Sequence, residues 1–254
     1  MCIDGKHIRT ASKMTDNPIH VVSAWVSENQ MTLAQTVVPD KSNEIAAVTQ
    51  LLEILDLKKA TVTIDAMGCQ TEIAGKIREA GADYVLAVKD NQLSLREEAE
   101  DTVRIVSPDR VITTTDIGHG RIEERKYMVY SDLPCVLSRG RWKGLNQIVR
   151  VETRQTVKKT GMESSDVRYF ITSHKLGSAE KVAECIRKHW SVESMHWQLD
   201  VIFDEDNCLK REKNSAENFN IIRKIVMGAL RNKLYQSLSL IYKFHEVAVV
   251  KNVC

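Results

Sequence analysis

Most of the features that would class this chain at a glance are missing from it. There is no Gly-x-x-x-x-Gly-Lys-Ser/Thr loop and no Gly-x-Gly-x-x-Gly, so nucleotide hydrolysis and dinucleotide binding have no support. No Gly-x-Ser-x-Gly occurs either. The six cysteines (Cys2, Cys69, Cys135, Cys185, Cys208, Cys254) form no Cys-x-x-Cys pair. That spacing argues against a zinc ribbon or a disulfide framework and for a reducing, cytoplasmic compartment. No apolar run approaches the roughly 18 residues of a membrane span, and no signal peptide opens the chain. Neither a membrane nor secretion is therefore expected. The net charge is only +2, so no global basic field announces nucleic acid, and any contact with it must come from local patches. There is no internal repeat and no low-complexity tract.

What is present describes an ordinary globular chain. Its 254 residues, 43% hydrophobic and 28% charged, suffice for one large domain or two small ones. The chain opens almost directly on strand-like sequence around Cys2–Ile8, as expected where a preceding region is absent. The segments 19–27 and 31–39 are β-rich and are separated by Glu28-Asn29-Gln30, which reads as a hairpin. Ser42 or Asn43 then caps a helix with apolar residues at helical spacing. A strand follows over 60–65, then a helix over 71–80 stopped by Gly81 as its C′ residue. A near-continuous apolar strand over 83–88 leads to a charged helix over 93–106. Strands first in hairpins and then alternating with helices predict an α/β fold with a mixed sheet flanked by helices. Residues 1–108 are read as the first part of this core. Residues 109–175 hold four strand-like segments, around 111–115, 122–130, 146–156 and 165–173, and read as a β-rich insertion. Residues 176–254 return to helices, one running from about 178 through the His-rich stretch below and one over 216–238.

The densest chemistry lies in His189–Asp206, HWSVESMHWQLDVIFDED. At about 100° per residue, His189, Glu193, His196 and Asp200 fall within about 60° of one another. Val192, Met195, Leu199 and Ile202 lie on one flank, and Trp190, Trp197 and Val201 on the other. This pattern predicts a mostly buried helix whose acidic line faces a cleft. The plainer reading is an amphipathic helix with solvated charges. His189 and His196 are expected to hydrogen-bond carboxylates or DNA; a zinc site with Cys185 lacks a fourth ligand at a standard spacing.

Two further acids stand out. Asp65 alternates away from the apolar set Val62 and Ile64 and sits where its strand ends, the place where ligands collect in α/β sheets. It reads equally as a cap for the next turn. Asp4 lies inside a strand, where an aspartate is disfavoured unless it has a partner. Carboxylates are the ligands that Mg²⁺ and Mn²⁺ prefer, and Asp4, Asp65 and Glu193 are the raw material for a two-metal site. Asp200 is held in reserve for the third place. A first central strand, a strand ending in an acid and a late helix are the parts of a ribonuclease H-like fold. Among the cations, His119, Arg121, Glu123 and Arg125 alternate along one strand and share a face. The two arginines and His119 suit phosphate, with Glu123 orienting an arginine. Lys6 and Lys89 each follow a strand near the expected cleft and suit the same role.

Several blocks carry a family resemblance: IDGK (3–6), TIDAMGCQ (63–70), YVLAVKDNQ (84–92), GHGRIEER (118–125), the stretch 189–206, and SAENFNIIRK (215–224). In these blocks the chain resembles the DDE transposases of bacterial insertion sequences, in particular the ISAs-type group that includes the H-repeat-associated proteins. The resemblance implies a ribonuclease H-like catalytic core with the β-rich insertion before the last catalytic helix. It implies Asp4, Asp65 and Glu193 as the catalytic acids holding two Mg²⁺ (or Mn²⁺) ions. The implied activity is cleavage of DNA at the element ends and strand transfer into target DNA, by a homo-oligomer assembled on the DNA. Two departures are visible. Around Glu193, related transposases outside this group carry a tyrosine–arginine–glutamate–lysine signature, whereas here His189 stands four residues before it, Ser194 follows in place of the usual asparagine and no lysine comes one or two turns later; and Asp90 follows Lys89 where glycine is common. Members of the family carry a further N-terminal region that this chain does not contain. The alternatives are a non-catalytic DNA-binding remnant of a decayed element and a metal-dependent nuclease without strand transfer.

Overall fold

The structure, a computed structural model, describes residues 1–8, 19–38, 43–118, 120–207 and 214–231. The chain divides into two compact units, one formed by Met1–Leu55 with His189–Cys254 and the other by Asp56–Lys188.

The first unit is built on an antiparallel meander. Strands β1 (Cys2–Ile8), β2 (Ile19–Val26) and β3 (Met31–Val38) pair in chain order, with Asp4 opposite Ser23. The expected hairpin after β2 is present, with Gln30 in the left-handed region at φ 52°. Alternation along β1 and β2 gives the meander two distinct faces. Helix α1 (Glu44–Ile54) buries Ala47, Val48, Leu51 and Leu52, and its first residue, Glu44, meets His20 at 3.2 Å. Asn43 stands at its N-cap, where its side chain makes no capping bond to the helix. The other face of the meander carries the late helices. Cys2 and Trp25 pack there with Val192, Met195, Leu199, Met227 and Leu230. Each such fully buried side chain contributes about 1.5–3 kcal/mol. The expected helix over 216–238 is observed as Ser215–Leu230; the rest of that range lies outside the described residues, as do Cys208, Cys254 and everything from 232 onward.

The second unit is a mixed sheet. Strands β4 (Thr61–Ile64) and β5 (Asp83–Val88) run parallel, joined by helix α2 (Thr71–Glu79). Gly81 ends the connection at φ 75°, as its place after the helix predicts. Helix α3 (Leu93–Ile105) follows β5. Strands β6 (Arg110–Gly118), β7 (Arg121–Tyr130), β8 (Gln147–Val157) and β9 (Glu163–Thr172) form an antiparallel set, and β9 pairs antiparallel with β5. The β-rich stretch therefore continues the β4–β5 sheet, in the order β4-β5-β9-β8-β7-β6. Helix α4 (Ala179–Val201) begins in this unit. Its Ala179, Val182, Ala183 and Ile186 cover Tyr127, Val129, Val149 and Val151 of the sheet. The second late helix, Ser215–Leu230, is α5. No described helix is long and apolar enough to cross a membrane.

Candidate active site

Within the first unit, β1 and α4 run in the same direction and meet residue by residue. Cys2, Asp4 and Lys6 share the helix-facing side of β1. His196 places Nδ1 3.5 Å from Asp4 Oδ2, and Lys6 Nζ lies 2.5 Å from Asp200 Oδ1. Two residues along a strand span about 6.7 Å and four along a helix about 6.0 Å, so the two contacts repeat with matched spacing. Trp25 Nε1 donates to Ser191 Oγ at 3.0 Å and adds a third point of attachment.

Burial decides the charge state of the imidazole. It pushes the His196 pKa down to about 3, helped by the neighbouring ammonium groups of Lys224 and Lys6. Asp4 thus faces a neutral ring, whose Nε2 is buried without a hydrogen-bond partner. His189, half-buried, is likewise lowered to about 4, first by burial and then by the N-terminal ammonium. Glu193 lies one turn before His196 and is exposed. The helix buries only one of its apolar flanks. Val192, Met195 and Leu199 are fully covered, whereas Trp197 and Val201 are 56% and 57% exposed. The mostly buried helix expected from two apolar flanks is thus corrected: the meander is one layer and can cover one side of the helix only.

Lys6 and Asp200 take places other than those expected of them. Lys6 is 7% exposed and donates to Asp200 and, at 2.8 Å, to Glu205, with Asp206 at 3.8 Å. Burial alone would lower its pKa, but Glu205 and Asp200 outweigh it and hold the ammonium above its ordinary value. Inside this acidic clasp, Lys6 does not reach a phosphate. Asp200, the reserve ligand, is bonded to Lys6, and burial raises its pKa. Glu205 is also bonded by Asn220 at 2.9 Å and lies 3.6 Å from Arg223, which ties the clasp to α5. Beside it, Lys224 donates to Ser23 Oγ at 2.7 Å and Gln35 Oε1 at 2.8 Å. Burial lowers Lys224 to about 7.

In the second unit, Asp65 ends β4 and caps the short turn Ala66–Gly68, accepting from Met67 N at 3.1 Å and Gly68 N at 3.5 Å. The capping role, one of its two sequence readings, is therefore present. Gly68 is required here, because a Cβ would stand 2.2 Å from Ile64 Cγ2. The turn after β5 clasps the turn after β4. Asn91 Nδ2 donates to Ala66 O at 2.6 Å, and Gln92 Nε2 donates to Cys69 O at 2.9 Å. Asn91, Gln92 and Gln70 were not singled out from sequence. Their signal was available: two parallel neighbouring strands that both end in amide-rich loops. Lys89 is exposed beside this clasp. Cys69 is buried, and burial followed by the Asp65 charge pushes its thiol up to about 12, so it is inert.

On the β6–β7 hairpin, Arg121 is exposed. Arg125 is not: it is 2% exposed, lies 2.5 Å from Asp116 and pairs with Glu123. It is a structural cation, and Arg187 of α4 joins it on Asp116 at 3.1 Å. His119 lies outside the described residues.

Among the described residues no three His, Cys, Asp or Glu side chains are grouped to hold a metal ion. The donors nonetheless suit a hard divalent cation in kind. They are carboxylates at a strand centre, a strand end and an exposed helix position, with a neutral imidazole beside the first.

The fold is that of an α/β, ribonuclease H-like protein. A piggyBac transposase, seen in a synaptic complex with hairpin DNA, shares it at a TM-score of 0.50 and 10% identity, over 93% of this chain and 46% of that one. The chain belongs to the transposase DDE domain family, which matches residues 1–227. It is 40% identical over 242 residues to YncI of Escherichia coli O157:H7, a candidate transposase. It is 37% identical over 263 residues to YhhI of E. coli strain K12, an H repeat-associated candidate transposase. These matches cover 91% and 99% of this chain, and the chain spans 62% and 69% of those relatives.

Proposed function

We propose that this chain is the catalytic domain of a DDE transposase, cleaving DNA at element ends and joining the freed end to target DNA. The observation that carries the reading is the contact of Asp4 with His196. It supports reading Asp4 and Glu193, which lies on the same helix as His196, as the first and third acids of the family pattern. Asp4, Asp65 and Glu193 are proposed as the carboxylates that hold two Mg²⁺ or Mn²⁺ ions. When bound, such ions favour the attacking oxygen and stabilise the leaving one.

The chain's own residues then divide the remaining work. Neutral His196 orients the Asp4 carboxylate without adding a positive charge that would compete with a cation. The Asp65 cap fixes its side chain at the end of β4, and the amides of Asn91 and Gln92 hold that turn in place. Lys89 and Arg121 are the exposed cations proposed for phosphate contacts. A homo-oligomer on paired DNA ends and a cytoplasmic setting complete the proposal.

The test is strand nicking and joining on a duplex that carries element ends, with Mg²⁺ supplied. Asp65→Asn and Glu193→Gln are expected to abolish both steps and to keep the fold. Metal-dependent cleavage that survives both substitutions would refute the assignment. Nicking without joining would identify a nuclease, and binding without nicking a non-catalytic remnant.

A further inference from the structure

Helix α5 is turned the wrong way round for a surface helix, which normally keeps its charged residues outward. Its buried residues include Asn220 and Lys224, and its exposed ones are Asn218, Ile221, Ile222, Ile225 and Ala229. Internal partners hold it in this orientation. Lys224 donates to Ser23 and Gln35, and Asn220 donates to Glu205, so the side that carries them faces inward. None of the five exposed residues of α5 is charged, and three are isoleucines, with Ile225 the most exposed of these at 65%.

This stripe continues onto the last strand of the meander. At about 100° per residue, Ile221, Ile225 and Gly228 fall within about 60° of one another. A Cβ on Gly228 would stand 3.7 Å from Met31 Cγ, which places Met31 at the end of that line. Met31 and Leu33 are exposed in turn, and β3 holds no charged residue from Met31 to Val38. Among the described residues no strand pairs with the outer edge of β3. Single apolar side chains on a surface need no explanation, but a contiguous patch marks an interaction site.

The chemistry of the patch selects its partner. The cations of α5, Arg223 and Lys224, are turned to Glu205, Ser23 and Gln35, so its outward face offers nothing to phosphate and lacks the basic rim of a helix that lies on a membrane. A second copy of the same patch fits. In a twofold pair each patch meets itself, so a charged patch would repel its counterpart and an uncharged one does not. A twofold axis across the stripe sets the two helices antiparallel, with each positive N-terminal end beside the partner's negative C-terminal end. The isoleucines then meet at the centre, and the small Gly228 and Ala229 let the backbones approach near the ends. The stripe from Asn218 to Ala229 is about 17 Å long, a footprint at the small end for specific interfaces, which suits a weak, reversible pair. We propose that this face joins two copies of the chain, α5 against α5 about a twofold axis, with Met31 and Leu33 of each copy at the rim. The pairing needs no DNA and does not rest on the reading of the chain as a transposase.

The test is sedimentation velocity of the full chain in DNA-free buffer. Concentration is raised from about 1 to about 100 μM, which brackets the dissociation constant on the order of 10 μM expected for so small a contact. The mass should rise from that of the 28.8 kDa monomer to that of a dimer and stop there. Ile225→Lys, at an exposed position, should hold the chain monomeric at the highest concentration and leave the melting midpoint of the dilute protein unchanged. Ile225→Glu should do the same, and an equal mixture of the two variants should pair again through opposite charges. Ile222→Lys serves if Ile225→Lys does not fold. A parent chain that stays monomeric overturns the proposal; a lowered melting midpoint of Ile225→Lys in that case points to the chain's own residues 232–254 as the cover. A dimer that survives Ile225→Lys also overturns it, as does growth beyond the dimer or a mixture that stays monomeric. With no DNA present, each of these outcomes leaves cleavage and joining to their own test.

Discussion

Replacing Lys6 by methionine should destabilise the protein without changing its architecture. The ammonium is buried between Asp200, Glu205 and Asp206. Methionine keeps most of the volume and removes the charge, leaving the three carboxylates facing one another. Removing one partner of a buried ion pair costs about 3–5 kcal/mol, because the other charge stays behind unpaired. Two features reduce the figure. Asp200 is 34% exposed, so water screens its share. Glu205 is 1% exposed but keeps Asn220 and Arg223. The expected loss therefore falls below that range, at about 2–3 kcal/mol. Asp200→Asn alone should cost about 1 kcal/mol or less, and the double variant less than the sum of the two, since part of the penalty in each is the partner left behind. Urea denaturation followed by far-UV circular dichroism measures this. With a slope of about 3 kcal/mol/M, Lys6→Met should lower the midpoint by somewhat under 1 M. A midpoint within about 0.2 M of the parent, less than about 0.6 kcal/mol at that slope, would show that Lys6 is not held as described.

Three further outcomes are expected. Gly68→Ala should cost about 1–3 kcal/mol by overpacking against Ile64 and displace the Asp65 cap, read as a lowered melting midpoint. Lys224 has a folded-state pKa of about 7, below its ordinary value of 10.5, so the unfolded chain binds more protons between those limits and stability should rise with pH across that window. Lys224→Met should flatten the rise, and a slope unchanged by the substitution would contradict the account. Trp25→Phe removes the bond to Ser191 and should cost about 1 kcal/mol in the same denaturation assay, with Ser191→Ala in the tryptophan background costing a similar amount.

The elements were legible because their periods are clean. Val62 and Ile64 against Thr61 and Thr63 announce β4, and the apolar run 84–88 announces β5 as a strand covered on both faces. The strands of 109–175 were legible as strands, but not their partner. β9 pairing with β5 is a contact at long sequence separation, and alternation alone does not name a neighbour. Which flank of α4 is buried was hidden for a related reason. Both flanks are apolar, and only the tertiary layer shows that Met195 is covered and Trp197 is not. The cations were the hardest to read. A lysine or arginine in a motif looks the same whether it faces phosphate or an internal carboxylate, and Lys6 and Arg125 turned inward because Asp200, Glu205, Asp116 and Glu123 lie opposite them. Of the two characters readable for Asp65, the cap is the one observed, and the capping side chain remains a carboxylate at a strand end.

The matched spacing of β1 and α4 works as a key with two teeth. A helix displaced by one residue turns by about 100°, so His196 and Asp200 would leave Asp4 and Lys6 together. No partial slip keeps one contact and loses the other. Loss of either tooth by substitution still leaves the remaining one to hold the alignment. Insertions and deletions behave differently from substitutions: one residue added between 196 and 200 throws the two contacts out of step. Between His196 and Asp200 the alignment is thus more sensitive to a change of length than to the loss of either contact.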